Sequence, residues 1–195
     1  MKLNLNNEQK SQFNQDGFLI LDQLIDPERL PILHQAFDDL FDGQFETGVQ
    51  PDEINWQSRD GRPDLTRQIC NGWKANRNIA KVALSESIGK AIATLAGWSG
   101  VRVMIDNVIW KPPGAKSLGY HQDSAFLAWY QPSDLLTCWI ALDDTRAEGG
   151  TIEFIKGSHQ WALSPPEGEF HAPDNYREPM LKAAQKTGVD PEIVY

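Results

Sequence analysis

The strongest constraint on this chain is a change of hydrophobic period near Gly100. Before it, apolar residues recur at spacings of three and four; after it, they alternate or run together. The first pattern belongs to helices and the second to strands. Leu30, Leu33, Phe37, Leu40 and Phe41 mark one stripe of a helix running to about Asp42. Asp26-Pro27 supplies an N-cap followed by proline at the first helical position. Asn6 to Asp16 reads as a short exposed helix closed by Gly17. Ile79, Val82, Ala83, Ile88, Ala91, Ile92 and Leu95 predict one or two helices over 76–96, broken near Ser85 and ended by Gly97 and Gly100. Short strands are expected at Phe18–Leu21 and Leu65–Cys70, the second with Arg67 or Gln68 facing a pocket. Beyond Gly100, strands are expected over Val101–Trp110, stopped by Pro112-Pro113, over Leu118–Asp123, and over the partly β-branched run Leu135–Leu142. Helices first and strands afterwards is an α+β order, with helices packed on an antiparallel sandwich or barrel.

The 195 residues predict one domain with a substantial core, and 41% hydrophobic with 23% charged residues is an ordinary globular balance. No run approaches the roughly 18 apolar residues of a membrane span, and the first residues lack the apolar core of a secretory signal. Cys70 and Cys138 do not make a disulfide framework; two reduced, buried thiols in a cytoplasmic protein are expected. A formal charge of −9 argues against nucleic acid as a partner. His34 lies beside the helical stripe and reads as a packing or surface histidine. Gln44 to Pro63 is a long aperiodic loop, of the kind that is usually functional.

His121-Gln122-Asp123 is the pattern with chemistry in it. On an extended segment, His121 and Asp123 share a face and Gln122 points the other way. One imidazole nitrogen and one carboxylate oxygen are two of the three ligands of a 2-His-1-carboxylate site for non-haem Fe(II). The tripeptide alone is unspecific, since most such pairs are surface residues or helix-capping neighbours.

Its surroundings are more specific. K-P-P-G at 111–114, Y-H-Q-D at 120–123, W-I-A-L-D-D at 139–144 and E-G-G-T-I-E-F-I-K-G-S-H at 148–159 follow one another in order. Together they resemble the phytanoyl-CoA dioxygenase family of Fe(II)- and 2-oxoglutarate-dependent oxygenases, most densely between Asp106 and His159. The resemblance implies a double-stranded β-helix (a jelly roll) with N-terminal helices packed on it. The helical part would occupy about 1–100 and the jelly-roll strands about 101–195 of a single domain. It implies Fe(II) and 2-oxoglutarate as cofactors, with O2 and a small organic molecule as substrates. His121 and Asp123 become the metal ligands. Retention of Asp123, which halogenating relatives replace by a small residue, favours hydroxylation or another oxidation. Asn107, four positions before the lysine of K-P-P, and Trp139 fall on positions that contact 2-oxoglutarate in the family, and Gln122 joins them as a cofactor-binding residue. On their own terms, Asn107 serves equally to satisfy backbone groups and Trp139 to fill core. Trp56 and Arg59, in a loop that often covers the active-site mouth in the family, are candidate substrate contacts, and Trp73 and Trp129 suggest an apolar mouth.

His159, in G-S-H, corresponds to a structural turn residue in the family. The family's second histidine and its 2-oxoglutarate-binding arginine lie further on, in an H-x-S-G-like segment and after it. Asp190–Tyr195 reads as the opening of a strand, so the expectation is a jelly roll incomplete at its C-terminus, with unpaired sheet edges. His171 is expected in a loop. Two rivals stay open: a non-catalytic β-helix module without a complete metal site, and a cupin-like or hydrolytic enzyme using another divalent metal.

Overall fold

The computed structural model describes residues 3–56, 64–127, 129, 130, 132, 134–164, 170, 171 and 173–195; Arg59 lies outside them. Helix α1 spans Asn7–Asp16. Asn6 and Gln9 bond each other's backbones in a capping box, and Gly17 ends the helix in the left-handed conformation at φ 85°. A Cβ on Gly17 would overlap the His159 imidazole, so this position needs glycine both for its φ and for the space. Asp26 caps a 3-10 turn, Pro27–Arg29, which runs into α2, Leu30–Phe41. Helices α3 (Arg77–Ala83) and α4 (Glu86–Ala96) follow, separated at Ser85 as expected. The Asn76 side chain accepts from the backbone N–H groups of Asn78 and Ile79, and Gly97 closes α4 at φ 69°.

Strands β1 (Glu53–Ile54), β2 (Arg67–Cys70) and β3 (Asn107–Trp110) form an antiparallel sheet in that order, with α3 and α4 inserted between β2 and β3. Register pairs Ile54 with Ile69 and Ile69 with Val108, aligning apolar residues across one face. That face closes on α2: Leu33, Ala36, Leu40, Ile69, Ala75, Ile79 and Val108 make one cluster, with Leu40, Ile69 and Ala75 fully buried. The opposite face carries Glu53, Cys70 and Asn107 in register, plus Gln68. Helix α5 is a single turn, Asp123–Phe126, and α6, Glu178–Thr187, buries Met180 and Ala184. A second sheet pairs β4 (Phe154–Ile155) with β5 (Ile193–Val194), so the expected terminal strand is present.

The architecture is thus mixed helix and sheet, but it is less segregated than the sequence implied. Among the described residues, β1 joins the expected strand β2 ahead of Gly100, and the full helix α6 follows it. Phe18–Leu21 and Leu135–Leu142 form no ladder, and only the last part of Val101–Trp110 does. An apolar run needs a hydrogen-bonding neighbour to become a strand, and among the described residues these runs have none. Phe18 instead stacks on Phe154 of β4, with centroids 5.1 Å apart. Val103, Met104 and Ile105 are exposed, and so is Cys138, against the expectation of a buried thiol. Cys70 is buried as expected. Among the described residues, no helix is long and apolar enough to cross a membrane.

Candidate metal centre

His121 and Asp123 come together, though not on a strand. Asp123 opens α5, and Gln122 is its N-cap. Gln122 is extended, with φ −108° and ψ 125°. Across one extended residue the alternation of side chains still holds, so its neighbours fall on the same side. His121 Nε2 lies 3.2 Å from Asp123 Oδ1. Gln122 turns away, and its Oε1 accepts from the Ser164 backbone N–H at 2.9 Å.

Both ligand candidates are oriented from behind. His121 Nδ1 lies 2.9 Å from the Gly119 carbonyl, which can only accept, so Nδ1 carries the proton and donates. Nε2 therefore faces the carboxylate with its lone pair, an arrangement that calls for a cation between them. A proton can serve: burial opposes charge on His121, yet the Asp123 carboxylate and the Gly119 carbonyl outweigh it and raise the imidazole above its ordinary value. The contact with His121 holds the Asp123 carboxyl below the usual range, against burial and with help from Thr137. The Thr137 hydroxyl donates to Asp123 Oδ2 at 2.5 Å, leaving Oδ1 toward His121. Phe126 and Phe170 meet the imidazole edge-on, at 5.4 and 4.9 Å between centroids, and fix its plane. Such partners behind a ligand are usual in metal sites.

Two donors cis on an octahedral first-row ion, each about 2.1 Å from it, stand about 3 Å apart. The 3.2 Å pair fits that requirement. No group of three or more His, Cys, Asp or Glu that could hold a metal occurs among the described residues.

The other expected residues are more dispersed. Asn107 Oδ1 accepts from Gln68 Nε2 at 2.9 Å and from the Cys70 thiol at 3.2 Å, so its amide N–H groups are the end left to donate. Trp139 is 42% exposed rather than core. Trp56 lies over the Arg67 guanidinium, 3.6 Å from it, with Trp110 stacking on the same group at 4.2 Å. Arg67 is thus held in an aromatic clamp. Trp73 packs against the core, and Trp129 is exposed. His159 serves the framework. Its ring fills the space above Gly17, and Nε2 lies 3.2 Å from the Asn14 carbonyl. His171 forms an isolated bridge with Leu118. His34 Nε2 donates to the Leu142 carbonyl at 2.9 Å, tying α2 to the segment after Trp139. Gly150 adopts φ 78°, as its turn requires, and the Lys111 ammonium bonds its carbonyl at 3.4 Å. Thr137 escapes the sequence reading, because its hydroxyl lies inside a run that reads as a plain apolar strand.

Known proteins resemble this chain in both sequence and fold. The family model described as Phytanoyl-CoA dioxygenase (PhyH) matches residues 13–192. A probable alpha-ketoglutarate-dependent hypophosphite dioxygenase of Stutzerimonas stutzeri is 22% identical over 154 residues, covering 78% of this chain and 53% of that protein. The chain therefore spans about half the length of the curated relative it matches. Among solved structures, the non-heme alpha ketoglutarate dependent carbocyclase SnoK from nogalamycin biosynthesis superposes with a TM-score of 0.67 at 16% identity, over 98% of this chain and 71% of that one. At that identity the likeness establishes a shared fold. With the family model matching nearly the whole length, the chain belongs to the phytanoyl-CoA dioxygenase family.

Proposed function

We propose that this chain carries the metal-binding half-site of an Fe(II)- and 2-oxoglutarate-dependent dioxygenase that oxidises a small organic molecule, on a jelly-roll framework. The observation that carries the reading is the His121–Asp123 pair, with Nε2 and Oδ1 facing each other 3.2 Å apart. Family membership points to the chemistry the cofactors would supply when bound: Fe(II) with 2-oxoglutarate would activate O2, with succinate and CO2 as co-products. His121 would hold the metal through Nε2 and Asp123 through Oδ1, while Gly119 and Thr137 keep the two donors aimed. Asn107 would offer its amide to a carboxylate of 2-oxoglutarate, and Gln122 its Nε2 N–H groups, since their oxygens are already engaged. Trp139 would give an apolar wall. Two protein donors would leave room for the cosubstrate and for a further ligand.

The test is anaerobic titration with Fe(II) or Mn(II), with and without 2-oxoglutarate, on this chain and on His121→Ala, followed by a succinate assay on the whole protein. One-to-one binding that His121→Ala abolishes is expected. Binding that survives the substitution, or a whole protein that never forms succinate across a substrate screen, refutes the reading. A second reading, a non-catalytic module, is favoured by the lack of a third ligand among the described residues. A whole protein that neither binds Fe(II) tightly nor forms succinate would select it.

A further inference from the structure

We propose that Glu153, braced by Arg177, is a positioning residue for His121 and acts through Tyr120 and Tyr176. The inference rests on reading His121 as a metal ligand and names what holds it. Glu153 lies just ahead of β4, and its side chain is only 15% exposed. Three groups converge on its carboxylate. The Tyr120 hydroxyl donates to Oε2 at 2.5 Å, and the Tyr176 hydroxyl and Arg177 Nη2 donate to Oε1 at 3.1 and 2.9 Å. The two tyrosine rings lie nearly parallel, 7° apart with centroids at 6.0 Å. One carboxylate thus gathers the residue before His121 and the turn that leads into α6.

The link to His121 is a single peptide plane. The Gly119 carbonyl and the Tyr120 N–H belong to the same planar unit and point in opposite directions. The N–H donates to the Tyr176 carbonyl at 3.0 Å, and the C=O accepts from His121 Nδ1 at 2.9 Å. Rotation of that plane would break both bonds. Glu153 holds both tyrosines, so it restrains the plane, and the plane fixes which nitrogen of His121 keeps its lone pair. Gly119 N–H adds a bond to the Phe170 carbonyl at 3.0 Å, and Phe170 packs edge-on against the imidazole. Arg177 is committed to bracing Glu153. Among the described residues its buried Nε has no hydrogen-bond partner, and besides Glu153 its Nη2 has the Tyr195 hydroxyl, at 3.5 Å.

The experiment compares Glu153→Gln and the milder Tyr120→Phe with a control, Leu33→Ala, which weakens the distant core. Two quantities are read on the full chain. The first is the tautomer of His121 without metal, from imidazole nitrogen NMR at alkaline pH. The second is Mn(II) affinity. In the wild type, His121 is expected as a single Nδ1–H tautomer. Either site variant should give a tautomer mixture and lose roughly 10- to 100-fold in Mn(II) affinity. Leu33→Ala should lower the unfolding midpoint and leave both site readings unchanged. Wild-type tautomer and affinity in both folded site variants would overturn the proposal, as would an equal loss in Leu33→Ala. If Mn(II) binding does not depend on His121 at all, the functional reading falls, and the tautomer measurement still decides the positioning role.

Discussion

Replacing Thr137 with valine removes one hydroxyl and almost nothing else. That hydroxyl donates to Asp123 Oδ2 at 2.5 Å, and the other oxygen faces His121. Without the donor, the carboxylate can rotate and present either oxygen, so part of its preorganisation for a metal is lost. A hydrogen bond to a charged acceptor contributes about 1.5–3 kcal/mol where water is excluded. The Asp123 side chain is 42% exposed, so water replaces much of the lost donor. About 1–1.5 kcal/mol is the reasonable remainder, roughly a five- to tenfold loss of affinity. Anaerobic Mn(II) titration, following the free ion by electron paramagnetic resonance, resolves such a change. Thr137→Ser keeps the donor and should bind within about twofold of the wild type, given the small size of the change. Wild-type affinity in Thr137→Val, or equal losses in the valine and serine variants, would refute the idea that this hydroxyl aims the carboxylate.

Three further outcomes are expected. Gly17→Ala must adopt φ near 85° and displace His159, so it should destabilise by more than the ~1 kcal/mol of a left-handed alanine. Combining it with His159→Ala should recover part of that loss in a double-mutant denaturation cycle, and strict additivity would count against the contact. Ile69→Ala, at a fully buried position between α2 and the sheet, should cost about 2–5 kcal/mol in urea unfolding, and a loss below about 1 kcal/mol would mean the core is misplaced. For Glu153, burial raises the pKa, but Arg177, Tyr120 and Tyr176 more than offset it, leaving the carboxyl below its ordinary 4.5. A depressed carboxyl stabilises above its unfolded pKa and loses that contribution as pH falls through the folded value. The stability gap between wild type and Glu153→Gln should therefore be constant above about pH 5.5 and shrink below 4.5, and a gap that widens on acidification would contradict the network.

What the sequence made legible was local. The Asn6 and Asp26 caps, the Leu30–Phe41 stripe, the break at Ser85 and the stops at Gly17 and Gly97 depend on residues within one or two turns of each other. The Asp26 cap, the stripe, the break and the two stops take the expected form, with a 3-10 turn over Pro27–Arg29 opening the helix, and Asn6 caps α1 where the sequence showed only a short helix. The strands are harder, because Leu135–Leu142 and Phe18–Leu21 carry the composition of strands, and pairing depends on chain far away in sequence. His121 and Asp123 do meet, but on a different local structure from the one expected. In place of a strand there is a single extended residue, Gln122, followed by the first turn of α5. Asn107, Gln122 and Trp139 stand on family resemblance: Asn107 is engaged by Gln68 and Cys70, Gln122 by Ser164, and Trp139 is exposed. Thr137, Glu153 and Arg177 are illegible, since nothing local in a threonine, a glutamate or an arginine says which distant side chain it will meet.

Most of the groups that orient His121 and Asp123 come later in the chain; the Gly119 carbonyl comes before. Thr137, Glu153, Phe170, Tyr176 and Arg177 all follow the two residues in the chain. Synthesis proceeds from the N-terminus, so both donors are polymerised before any of these braces. The buried residues of the α2–sheet core end with Val108 of β3 and can assemble at that stage, whereas the donor pair is not yet fully aimed. A nascent chain cut after α5 would carry both donors and, of the groups that aim them, the Gly119 carbonyl and Phe126 but not Thr137, Glu153, Phe170, Tyr176 or Arg177. On the proposed function, metal uptake is thus tied to a late stage of folding, which protects the growing chain from capturing a redox-active ion in a half-made and poorly shielded site.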